Sequence, residues 1–406
     1  MNEKDGSFFL RRVSTQTCKF FNEEQRKKPF SDRIFITRMF YFVALVFPVE
    51  TQQTFIRKIF RIILEYGATL LLSMYIIGDF RNLYNLVWDL PTGLILSSLL
   101  TDVFSLTIRI TLLCKRKSIF SAMLHLQDVH ASLQCTQLVN LRPYLAFGVG
   151  VACVLPTTLM LFTVNLCYPG YEDFLAHYTA YTFFGWSSRN KWTDCFIFVL
   201  FHNLLENQQY LLSGFLVVHS WYLLGLCKII VGSFIEVAER ENDPEVLYNS
   251  YLKYTRRTAE CMVVLEHGLS LLLMFLYGFM VFNIFNVSTL LLTADFSYII
   301  VPMMVTQVVL FVVMVLAFYS VSFQAVAVHE VAKKVKNAVY EMVSRSDSTN
   351  YEMKCLLLTK VTNFPSEIVV TGWKMFSLNR SFLQKTTSGM CTYAVLLSQL
   401  DRQTHQ

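Results

Sequence analysis

The chain has 406 residues, 54% of them hydrophobic and 16% charged, and its mean hydropathy is +0.43. Soluble domains carry about 25% charged residues, so two soluble domains do not account for this chain, whereas one membrane domain with short loops does. The net charge of +6 would suggest nucleic acid in a soluble protein, but the basic residues cluster between apolar runs, where they report membrane orientation instead.

The first stretch, residues 1–56, is polar and mixed in charge. From Met1 to Asp5 and onward it shows no short apolar segment with a small-residue cleavage site, so no secretory signal is read there. Within it, the run 34–49 is short, carries Arg38 and ends at Pro48, and reads as a re-entrant or interfacial helix on the cytosolic side. A full span needs roughly 20 apolar residues. Six runs qualify: 59–77, 92–114, 144–166, 196–231, 262–285 and 298–321; a seventh, less hydrophobic, covers 382–400. The expected organisation is a cytosolic N-terminus (1–56) and a ligand-binding bundle of six transmembrane helices (57–322). Cytosolic anchor helices (323–381) and a final pore-lining helix with a short extracellular tail (382–406) follow.

The second run carries Asp102 and Arg109, two turns apart and too distant to bond each other. Each is expected to find a partner elsewhere, Glu65 for Arg109, in a structural role. After the third run, Cys167 and Cys195 flank an expected extracellular loop, either as a disulfide or as two free thiols. The ten cysteines include no Cys-x-x-Cys pair, so no zinc or redox site is indicated.

The fourth run is unusually polar inside. His202, Glu206 and Gln209 share one helical face at i, i+4 and i+7, and Asn203, Asn207 and Tyr210 share the adjoining one. Ionisable groups at membrane depth are costly and mark function by default. The sharp reading is a ligand pocket. It is opposed by Phe275, Tyr277 and Phe282 in the outer half of the fifth run and by Tyr298 and Gln307 of the sixth. Ser97, Ser98, Thr157 and Thr158 complete it. The alternative is a structural hydrogen-bond network. Beyond the sixth run, Val331, Val335, Ala338 and Met342 recur at helical spacing, and 344–350 reads as a hinge between two helices. That apolar stripe needs a partner, expected on neighbouring subunits.

Basic residues set the orientation. Lys115, Arg116 and Lys117 follow the second run, Arg256 and Arg257 the fourth, and Lys333, Lys334 and Lys336 the sixth, while the opposite loops hold little. The N-terminus is therefore expected in the cytosol, and seven spans leave the tail outside, opposite to a G-protein-coupled receptor. No phosphate-binding loop, nucleophile elbow or paired catalytic carboxylate is visible, and His329-Glu330 lacks the second histidine of a zinc-protease helix. The chain thus reads as a non-enzyme with no cofactor and no metal.

The seventh run carries the sharpest signal. Thr392 and Gln399 are seven residues apart, about 20° from alignment on a helix. The same face continues back through Ser388 and Gln384, with Val395 and Leu396 between. Such a stripe either lines a narrow water path around a symmetry axis or bonds neighbouring helices. Thr392-Tyr393, five residues, then Gln399 resembles the terminal signature of insect gustatory receptors, with Leu400 where the family carries Phe. Gly372-Trp373-Lys374-Met375-Phe376-Ser377-Leu378-Asn379-Arg380 is similar to that family's approach to its last helix, with two extra residues between Gly and Phe.

The resemblance, which includes a likeness to insect odorant receptors, implies an all-α polytopic protein of seven transmembrane helices assembled as a homo- or hetero-tetramer with related subunits. It implies a ligand-gated non-selective cation channel acting in taste. Ser388, Thr392, Val395, Leu396 and Gln399 then line the pore, with Asp401 at its mouth. His202, Asn203, Glu206, Gln209, Tyr210, Tyr277 and Tyr298 contact a small tastant, with Glu206 among amides and aromatics favouring a bitter compound over a sugar. The expected setting is the lipid of a chemosensory neuron's plasma membrane, with no nucleic-acid partner. A sugar-sensing receptor, a secondary transporter and a metabotropic receptor are the alternatives.

Overall fold

The computed structural model describes residues 55–86, 92–132, 191–241, 243–293, 301–346 and 350–404, with isolated positions between 143 and 167, all within one compact unit. The expected helix over 34–49, Tyr298 and most of the third run lie outside the described residues.

The described residues are almost entirely helical: α1 (Phe55–Leu86), α2 (Thr92–Ser132), α3 (Lys191–Glu206), α4 (Leu212–Arg240), α5 (Pro244–Thr293), α6 (Val301–Arg345), α7 (Tyr351–Glu367) and α8 (Arg380–Thr404). A π turn, Asn207–Leu211, joins α3 to α4, and a small antiparallel hairpin of β1 (Thr371–Gly372) and β2 (Phe376–Ser377) precedes α8. Three described helices are long and apolar enough to cross a membrane: Gln208–Arg240, Pro244–Ser288 and Met304–Arg345.

On α1, Glu65, Ala68, Leu72 and Ile76 are buried, while Ile59, Ile63, Tyr66, Leu70, Met74 and Ile77 stand exposed at helical spacing. On α6, Val305, Val308, Val312 and Leu316 do the same. Stripes this apolar are a liability in water and at home in lipid. The chain is a membrane protein.

The centre is the contact of α2 with α5. Two α5 glycines permit it: a Cβ on Gly268 would lie 2.8 Å from Ala122 Cβ, and one on Gly278 would lie 2.5 Å from the Phe104 ring. The α4–α5 turn is set locally, since Asp243 Oδ1 accepts from Glu245 N at 2.9 Å and Pro244 opens the helix. Around the expected hinge α6 ends at Arg345 and α7 begins at Tyr351, where Asn350 Oδ1 caps α7 by accepting from Met353 N at 3.2 Å. The apolar stripe on α6 finds its partners inside the same chain, which corrects the expectation of a neighbouring subunit. Val335 and Val339 are fully buried, Val331 meets Gly232 of α4, and Tyr340 bonds Thr362 of α7 at 2.7 Å.

Candidate functional site

The polar stretch of the fourth run does not keep a regular helical phase. The π turn inserts one residue after Glu206, and each residue of an α-helix advances about 100°. Gln209 therefore leaves the face that uniform spacing gave it beside His202 and Glu206. It is buried, and its Nε2 donates to Asp102 Oδ1 at 2.5 Å. Gln208, which periodicity had not singled out, accepts from Arg109 Nη1 at 3.0 Å. Tyr210 turns toward α5, donating its hydroxyl to Asn283 Oδ1 at 3.2 Å and packing its ring edge-on to Phe279. Asn203 Nδ2 returns to its own helix at Val199 O, 2.7 Å away. The side chains of His202 and Glu206 lie outside the described residues.

Arg109 is wholly buried. Its guanidinium also donates to Thr69 Oγ1 at 3.0 Å and to the Glu65 carbonyl at 3.2 Å. The Glu65 carboxylate, expected to face Arg109, is taken by Arg116 at 3.1 Å. These buried bonds tie α1, α2 and the π turn together, giving an acceptor to each nitrogen of the Arg109 guanidinium and a donor to one oxygen of Asp102, where burial in a membrane makes charge costly.

The structure separates Tyr277 from this stretch. Phe279 and Asn283 share one face of α5, and Tyr277 lies about 200° round from Phe279. Its hydroxyl is 2.8 Å from Ser322 Oγ, and its ring meets Phe318, Phe376 and Phe382. It therefore faces the end of the sixth run and the start of the last helix, on the side of α5 away from Tyr210, although Phe279 lies only about 3 Å further along the helix. Cys167 and Cys195, left open by the sequence, are joined in a disulfide with Cα atoms 5.8 Å apart; this ties the N-terminal end of α3 to the chain after the third run.

The hairpin explains the motif before the last helix. A Cβ on Gly372 would overlap the Phe376 ring, so the position demands glycine. Trp373 and Lys374 both hold left-handed φ, 48° and 61°, an uncommon conformation for bulky residues. The turn is closed by Met375 N onto Gly372 O at 2.9 Å, and pinned to α5 by Trp373 N onto Ser270 Oγ at 2.6 Å. Leu378 is buried, and Asn379 Oδ1 accepts from Phe382 N at 2.9 Å as the cap of α8. Arg380 then reaches Glu330 of α6 at 3.4 Å.

From that cap α8 divides cleanly. Phe382 stacks on Phe376 at 4.7 Å, Thr387 meets Tyr319 at 3.0 Å and Tyr393 packs on Phe285 at 4.5 Å. The other side is uncovered: Gln384, Ser388, Cys391, Thr392 and Leu396 are exposed within an arc of about 140°. Thr392 Oγ1 bonds back to Ser388 O at 2.9 Å, leaving its oxygen free to accept. Val395 and Gln399 continue this arc by position, and Asp401 lies about 220° round from Ser388; these three side chains lie outside the described residues.

No family model and no curated protein matches the chain. Among solved structures, the insect olfactory receptor OR5 from Machilis hrabei is similar, with a TM-score of 0.55 at 13% sequence identity, covering 91% of this chain and 100% of that one. The same receptor in complex with eugenol aligns with a TM-score of 0.47 at 16% identity, over 91% and 100% of the two chains. The described chain is a mostly helical membrane protein with the fold of an insect olfactory receptor.

Proposed function

We propose that this chain is a gustatory member of the insect chemoreceptor superfamily, acting as a ligand-gated, non-selective cation channel. One observation carries the reading: the exposed face of α8 is the polar stripe of Ser388 and Thr392 with Leu396 beyond it, while the aromatic face of the same helix is packed. Hydroxyls turned to lipid cost free energy, and turned to a shared axis they line water. Four copies, alike or from related subunits, would close such an axis, with the aliphatic positions Val395 and Leu396 as a dewetting gate. Gln399 and Asp401 then stand at the outer mouth. The orientation is N-terminus in, C-terminus out, across seven spans, in the plasma membrane of chemosensory neurons. The protein acts by conduction and not by catalysis.

The ligand in this reading is a small tastant received around Asn203, Glu206, His202 and Tyr298, and a bitter compound suits one carboxylate among amides and aromatics. Excised patches from cells expressing the chain should pass ligand-evoked current without nucleotides or G proteins. Second messengers rising under an agonist that evokes no patch current would remove the channel reading. An epitope placed after Gln406 should label on intact cells, and labelling only after permeabilisation would remove the seven-span count.

A further inference from the structure

The π turn sits where two halves of one long helix meet, and π turns enter α-helices as single-turn bulges, often at functional sites. Its extra residue sets the rotational phase of α3 relative to α4. The two sides are held differently. Every residue from Leu212 to Ser220 is buried, so α4 is walled in. By contrast, α3 exposes Trp192, Phe196 and Leu200. Besides the buried Phe198 at its middle, α3 has a fastener at each end: the Cys167–Cys195 disulfide outside, and the glutamines of the π turn inside.

Those glutamines meet charged groups. Gln209 donates to the Asp102 carboxylate and Gln208 accepts from the Arg109 guanidinium, both charge-assisted bonds made inside the bundle. Asp102 and Arg109 are seven residues apart on α2 and hence within about 20° of one line. Two consecutive amides thus bind two points on one rail, which fixes an azimuth as a single contact does not.

We propose that Gln208 and Gln209 are positioning residues that lock the rotational phase of α3 onto the two charges of α2, with the π turn as the joint at which α3 turns relative to α4. The functional meaning rests on reading the 202–210 stretch as ligand-facing, because Asn203 and its neighbours ride on α3. A ligand that favours another phase of α3 would act through this joint on α2, and through Arg109 on α1.

The test uses the full chain in lipid nanodiscs with spin labels at Phe196→Cys on α3 and Leu70→Cys on α1, every native cysteine having been replaced. The disulfide is then gone and the glutamines alone fix the inner end. With both glutamines present, one narrow label-to-label distance is expected. Q208A/Q209A should broaden or shift it, by up to about 8 Å for one residue of rotation on a helix 10–12 Å across. Asp102→Asn alone should also broaden it, and Asp102→Asn with Gln209→Glu, which keeps the bond with donor and acceptor exchanged, should narrow it again. A distance already broad with both glutamines, or unmoved in the double alanine variant, overturns the proposal. So does an exchanged pair that fails to restore the distance, and this arm decides even if the double alanine variant does not fold. Because no ligand or current is needed, a wild-type chain that never conducts removes the channel reading and leaves this measurement intact.

Discussion

Two aromatic regions of the molecule are finished to different degrees. Where α4, α5 and α7 meet, Phe234 stacks on Tyr254 at 4.6 Å, Phe364 closes on both Tyr251 and Tyr254, and the Tyr254 hydroxyl donates to Val231 O at 2.6 Å. Every ring there is buried and the polar end has an acceptor. Along α8, Phe382 and Tyr393 are anchored just as firmly, yet the opposite face is left open with its hydroxyls outward. A single chain can complete the first region by itself. The second is left open by the single chain, and on the proposed channel reading it is the working surface while the first is scaffold.

That contrast can be broken at its strongest point first. Phe364→Ala should lower stability by about 3–5 kcal/mol, the usual loss for a large ring removed from a closed core, read from thermal melts of the purified full chain. An unmoved melting temperature would mean that the aromatic knot is not a core. Tyr254→Phe keeps the ring and removes one hydrogen bond, for which about 1 kcal/mol is expected in the same melts. A pH effect comes next in size. Burial holds the His125 imidazole below its ordinary value of 6.5, and nearby Glu260 and Asp128 oppose this only in part. The unfolded chain therefore binds the extra proton as pH falls below 6.5, and stability should decline on that acid side. His125→Gln should flatten the decline in melts across that range, and an unchanged slope would show that the ring is freely solvated. The smallest stability effect belongs to the open face. Thr392→Val should shift the melt by no more than about 0.5 kcal/mol, while both it and Gln399→Ala change conductance or basal opening. Stability lost with current unchanged would make the stripe ordinary packing.

Much of this was legible in the sequence because it rests on periodicity. Six of the seven apolar runs lie on helices among the described residues, α6 ends at Arg345 and α7 begins at Tyr351 around the expected hinge, and the polar stripe of Ser388 and Thr392 is the exposed side of α8. What periodicity misses is any place where the period changes. The π turn shifted Gln209 off its expected face and brought in Gln208, and no run of residue types announces an i→i+5 turn. Tyr277 faces away from Tyr210 for a different reason: which helices meet each side of α5 depends on how they lie side by side, and Ser322 and Phe382 are the neighbours it finds. The Arg109 partners show the same limit. Glu65 was the right residue, but the sequence could not say that its carbonyl would face Arg109 while its carboxylate went to Arg116.

The length of α5 carries one more consequence. Its 50 residues form a rod of about 75 Å at 1.5 Å per residue, more than twice the roughly 30 Å of a hydrocarbon core. It touches Tyr210 through Asn283, Phe382 through Tyr277 and the hairpin through Ser270. A mast of that length tilted by about 5° displaces one tip relative to the other by about 6 Å, with no bond inside it remade. The contacts with Tyr210, Phe382 and the hairpin lie between Ser270 and Asn283, about 20 Å of that rod, so the same tilt moves one relative to another by only about 2 Å and this stretch of α5 travels nearly as one body.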